Sequence, residues 1–133
     1  MIIKRSIDIE DAVRTVLADY VTCYCRPLPK DFLIPSILIT AVGGNSETNW
    51  ASEQMIDTFD VVLDSRAMTE NEALDLLLTA VGILKKAAQE QTTAINYAEM
   101  NTQSSWGTDP VRPDLAMCSA RVRIKSRPET ITL

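Results

Sequence analysis

The chain has 133 residues, 46% apolar, 23% charged and 5% aromatic, enough to bury a core without disulfide staples. Its net charge of −5 argues against a primary binder of duplex DNA or of an anionic membrane, since affinity for phosphate is mostly cation-driven. No histidine is present, which removes the commonest general base and metal ligand together, and the 4 glycines have neither Walker-loop nor dinucleotide-fingerprint spacing.

In chain order, residues 8–20 predict a short helix with Val13, Val16, Leu17 and Tyr20 on one face and Ser6 or Asp8 as cap. The stretch before it has charges and no apolar leader core, so a reducing, cytosolic compartment is expected. Thr22 to Arg26 reads as a strand in which Cys23 and Cys25 share a face; with Cys118 they are expected to be free core thiols. Pro27, Pro29 and Pro35 make residues 27–35 an extended connector.

Ser36 to Val42 is a β-favouring run, and Gly43-Gly44-Asn45 is expected to end it. Ser46 to Glu53 is polar and predicts a hairpin loop or extension. The strand pattern resumes at Met55, with Met55, Phe59, Val61 and Leu63 on one face and Ile56, Thr58, Asp60, Val62 and Asp64 on the other. Asp57 interrupts the apolar face and is placed at the sheet rim, where its carboxylate stays wet.

Thr69-Glu70-Asn71-Glu72 is a capping box that opens the longest helix, Glu70 to about Gln91. Its stripe is Leu74, Leu77, Ala80, Val81, Leu84 and Ala88, while Leu76, Leu78 and Ile83 widen the apolar surface toward a second contact. Thr93 to Tyr97 predicts a strand and Thr102 to Pro113 a turn-rich loop. From Ala116 to Ile124, strict alternation places Ala116, Cys118, Ala120, Val122 and Ile124 on one face and Met117, Ser119, Arg121 and Arg123 on the other, with Lys125 and Arg127 following. The order α-β-β-β-α-β-β predicts an α+β fold: a mainly antiparallel sheet with two helices on one face, spanning 1–133 as one domain.

Charge is the most informative feature. Residues 111–133 hold Arg112, Arg121, Arg123, Lys125 and Arg127 against Asp114 and Glu129, whereas the remainder is strongly acidic. Such a stripe can meet the acidic face of an identical neighbour, line a channel for nucleic acid, or pair with Asp57, Asp60 or Asp64 in its own sheet. Trp50 and Trp106 lie in predicted loops, either as interface anchors or folded over the sheet edge. Asp60 and Asp64 lie ~13 Å apart along a strand, too far for paired acid–base work. No catalytic residue, cofactor site or metal site is expected, and the protein is read as non-enzymatic.

The leading helix, the Arg26–Pro35 connector, the strand ending in Gly43-Gly44, the polar hairpin, the Ala-Leu-rich helix and the closing stretch from Asp109 to Arg127 form an order. That order resembles the tail-terminator, or tail-completion, proteins of long-tailed bacteriophages and prophages. The resemblance implies helices packed on an antiparallel sheet and a hexameric ring that caps the tail tube, ends its polymerisation and presents a surface to head-completion or neck proteins. It implies a place at the head-proximal end of the tail in the virion, in the host cytoplasm during assembly, with DNA passing through the lumen and no membrane partner. Asn45 to Glu53 and Thr102 to Pro113 become candidate tube- or neck-facing loops. Arg121, Arg123, Lys125, Arg127, Trp50, Trp106, Asp60 and Asp64 become candidate interface residues. A head–tail connector, or a small anion- or ligand-binding α+β domain, is the alternative.

Overall fold

The structure, a computed structural model, describes residues 2–5, 7–49, 54–102 and 104–132. Asp8 caps the first helix, α1 (Ile9–Leu17), by accepting the Asp11 N–H at 3.2 Å. Ile9, Val13 and Leu17 are its buried face, and Tyr20, expected on that face, lies beyond the helix end and is 71% exposed. The short strand β2 (Cys23–Cys25) runs parallel to β3 (Ser36–Asn49). Both of its cysteines face α1, the Cys23 thiol toward Arg14 O at 3.8 Å and the Cys25 thiol toward Glu10 O at 3.4 Å. They are free, and burial pushes both thiols up from their ordinary range.

Strand β3 does not end at Gly43-Gly44. It continues to Asn49 against β4 (Gln54–Ala67), and the register shifts between Ala41 and Gly43, so that Val42 bulges. Glycine serves here to tolerate a bulge in extended backbone, since no described glycine has a positive φ. The polar segment is therefore an extension of the hairpin through Asn49, while Trp50 to Glu53 lie outside the described residues.

Asp57 also departs from expectation: it is only 1% exposed. Its strand is central, with Ser46 opposite on β3 and the equally buried Ser126 opposite on the other side, so the carboxylate is enclosed rather than at a wet rim.

Thr69 accepts the Glu72 N–H at 3.2 Å and starts α2 (Glu70–Glu90). The helix closes on Gln91 in the left-handed region (φ 55), whose amide donates to Asn96 O at 3.0 Å. Leu77, Ala80, Val81, Leu84 and Ala88 are buried as expected, joined by Ala73 and Ala87, while Leu74 is half-buried. Strands β5 (Ile95–Met100) and β6 (Ser105–Thr108) pair with opposite ends of β7 (Ala116–Ser126). Strand β6 falls inside the stretch expected to be a loop. A separate antiparallel ribbon joins β1 (Ile2–Arg5) to β8 (Glu129–Thr132), which the sequence pattern did not signal.

The fold is α+β, with sheet order β2-β3-β4-β7-β5 and β6 also on β7. Strand β2 makes it mixed rather than wholly antiparallel. Both helices cover one face, where Val13, Leu17, Leu77 and Leu84 meet Ile37, Ile39, Val61, Leu63, Val122 and Ile124. Alternation along β7 is as expected: Cys118, Ala120, Val122 and Ile124 are buried in this core.

Glu10 ties α1 to the sheet. Its Oε2 accepts Arg26 Nη2 at 2.8 Å and the Ala41 N–H, next to the bulge, at 3.2 Å. The Arg26 hydrogen bond is the main reason the Glu10 carboxyl lies below its ordinary value of 4.5. Glu10→Ala leaves the part-buried Ala41 N–H without its acceptor and is expected to cost about 1–2 kcal/mol, measured by urea unfolding. Because the folded-state value is depressed, this contribution is complete above the ordinary range and is lost as pH falls through the folded value. In the alanine variant that part of the acid dependence disappears.

Candidate interaction face

Among the described residues, both helices pack on one face of the sheet, and neither packs on the opposite face. Period-2 alternation aims Met117, Ser119, Arg121, Arg123 and Lys125 at that opposite face from β7, and the antiparallel register sets carboxylates beside these cations. Asp60 on β4 and Glu99 on β5 flank Arg123, and Arg123 Nε lies 3.6 Å from Asp60 Oδ1. Asp64 lies opposite Ser119 and accepts its hydroxyl. Lys125 Nζ sits 5.2 Å above the Tyr97 ring, and the Tyr97 hydroxyl donates to Glu99, which pushes the phenol up.

The basic stripe of the sequence is thus embedded in a face of mixed charge. Of the expected in-sheet pairings, Arg123–Asp60 is present, while Asp64 is engaged by Ser119 instead. Arg121 is the exception. Its backbone is held, with N–H on Thr102 Oγ1 at 3.2 Å and C=O accepting the Asn101 N–H at 2.7 Å, but its exposed guanidinium has no partner among the described residues. Arg127, one residue beyond β7, is also exposed, and its N–H donates to Asn96 Oδ1 at 3.2 Å. Asp60 and Asp64 stay on one strand face and do not converge.

Trp106 stands on β6, opposite Cys118 in register and so on the same sheet face, and is 50% exposed. Trp50 lies outside the described residues. The topology adds neighbours that sequence reasoning missed. Ala67, at the end of β4, pairs with Ala116, which pairs with Thr108 of β6. Met68 follows Ala67 at that end and Val111 lies in the loop after β6; both are exposed, as are Trp106 and, in the connector, Leu33.

A buried ion pair organises this end. Arg66 Nε donates to Asp109 Oδ2 at 2.6 Å, with both side chains less than a tenth exposed. Asp109 Oδ1 accepts the Val111 and Arg112 N–H groups at 2.8 and 3.0 Å, and the Phe32 ring lies 5.9 Å from the guanidinium carbon. Burial alone would raise the Asp109 carboxyl, but those N–H groups and Arg66 outweigh it and hold the carboxyl below its ordinary range. One strand residue thereby fixes both the connector and the 109–115 loop.

Among the described residues, no group of His, Cys, Asp and Glu side chains is arranged to hold a metal ion, and no helix is long and apolar enough to cross a membrane. Compared with known proteins, the chain matches no family model and no curated protein.

Proposed function

We propose that the protein is a non-enzymatic structural component of a long-tailed phage, capping the tail tube as an oligomeric ring and forming the joining surface toward the head. The observation that carries this reading is a helix-free sheet face on which exposed Arg121, in an acidic chain, has no side-chain partner among the described residues. Exposed Leu33, Met68, Trp106 and Val111 supply chemically different, apolar contact groups, as a ring subunit touching both its neighbours and a tube or neck protein requires. The mixed charge around Arg123 suits a protein neighbour better than a free anion, because an anion reaching that cation meets Asp60 and Glu99. In this reading DNA passes through the lumen without being bound by sequence.

The test is to label the chain, mix it with tail tubes of the same phage and image them by negative-stain electron microscopy. Capping of one tube tip is expected, with occupancy falling as ionic strength rises. Arg121→Glu is expected to reduce tip occupancy at least roughly tenfold with unchanged far-UV circular dichroism, an order set by charge reversal at a desolvated contact. Intact tubes with bare tips would reject the terminator reading and favour a head connector.

A further inference from the structure

The solvent face of α2 carries a pattern that neither the core nor the proposed ring uses. Asn71, Asp75, Leu78, Gly82, Lys85 and Gln89 follow one another at alternating steps of four and three, so they form one stripe along the helix. All are exposed, Leu78 by 47%, and a side-chain carbon built at Gly82 would meet nothing within 4 Å. Asp75 and Lys85 have no ion pair among the described residues, whereas neighbouring Lys86 is 4.0 Å from Glu90.

The stripe is complementary to itself when reversed. Leu78 with Gly82, Asp75 with Lys85 and Asn71 with Gln89 are all symmetric about the same midpoint, Ala80. Two copies of α2 laid antiparallel about that midpoint set each Leu78 in the notch at the other's Gly82, where the missing side chain permits close approach of the helices. At ~1.5 Å rise per residue, Asp75 and Lys85 lie ~7.5 Å either side of the midpoint, so each Asp75 faces a Lys85 of the second copy. Outside them Asn71 faces Gln89, amide to amide. An arrangement in which the same patch serves both partners is the isologous contact of a two-fold dimer.

We infer that α2 is the contact surface of a two-fold dimer of this chain, with Leu78 in the Gly82 notch and Asp75 paired to Lys85 across the axis. The contact is one helix wide, so the dimer is weak and populates only at high chain concentration. It lies on the layer opposite the helix-free sheet face, and is therefore independent of the ring contact proposed above.

Sedimentation velocity over a concentration series, up to about 100 µM, tests it. A reversible monomer–dimer equilibrium is expected. Leu78→Glu, at an exposed helical site that leaves the fold intact, is expected to shift its midpoint roughly tenfold or more upward, and Asp75→Lys to do the same by setting lysine against lysine. The double change Asp75→Lys/Lys85→Asp restores the pair in reverse and is expected to recover the dimer. A chain monomeric throughout the series, an oligomer indifferent to Leu78→Glu and Asp75→Lys, or a double change without recovery would each overturn the inference. Leu78→Glu is expected to leave tube-tip binding unchanged, so loss of the dimer and loss of the ring reading are separate outcomes.

Discussion

Asp109→Ala is expected to destabilise the fold by about 3–5 kcal/mol, because it leaves the Arg66 guanidinium buried without its counter-charge. It also removes the acceptor of the Val111 and Arg112 N–H groups. Equilibrium urea unfolding measures the loss, and thermal unfolding should show a fall of roughly 10 °C or more. Asp109→Asn retains an acceptor for the two N–H groups and should lose less. Adding Arg66→Met to Asp109→Ala removes the stranded charge, so the double variant should be more stable than Asp109→Ala alone. Non-additivity of that sign identifies the buried pair, rather than the loop turn, as the larger part of the effect. The carboxyl is depressed in the folded state, so its contribution is complete above the ordinary range near 3.8 and is lost as pH falls through the folded value. The alanine variant should therefore show a weaker acid dependence than the parent.

The second large effect separates two adjacent leucines. Leu77 is fully buried against the sheet, and Leu77→Ala is expected to cost about 2–5 kcal/mol through lost burial and the cavity left behind. Leu78, its neighbour in sequence, is 47% exposed, and Leu78→Ala should stay within about 0.5 kcal/mol. Urea unfolding of the pair at chain concentrations well below dimerisation checks the contrast. A large loss at Leu78 under those conditions would mean that α2 turns Leu78, and not only Leu77, toward the sheet.

That contrast also shows what was legible in the sequence and what was not. Helix α2 was legible from its start and its stripe: Thr69 caps it by accepting the Glu72 N–H, and the Leu77–Leu84 stripe faces the core. Strand β7 was legible because its alternation is nearly unbroken, and its charges fell on the face that the alternation predicted. Gly43-Gly44 misled because glycine is permissive in both directions: it can end a strand or let one bulge and continue, and only the pairing partner decides. Asp57 misled because a carboxylate in an apolar pattern is usually wet, whereas two flanking strands enclose this one. The short strands β1, β6 and β8 exist through pairing rather than propensity, so runs of four residues gave no signal.

At the candidate surfaces, Arg123–Asp60 was foreseeable as a cross-strand pair once β4 and β7 were read as strands. The unpartnered state of Arg121 was not, since Val62 rather than a carboxylate happens to lie opposite it. The buried Arg66–Asp109 pair was also hidden. The partners are 43 residues apart, and neither stands in a motif that announces the other.

The proposed role in ending tube growth is tested most directly by tube polymerisation itself. Tube protein of the same phage is polymerised with and without the purified chain, and tube lengths are recorded by electron microscopy over time. Added chain is expected to stop elongation at substoichiometric amounts and to leave tubes with one blunt, ring-shaped end, while Arg121→Glu is not. Tubes that elongate at the same rate and to the same lengths with the parent chain present would contradict it.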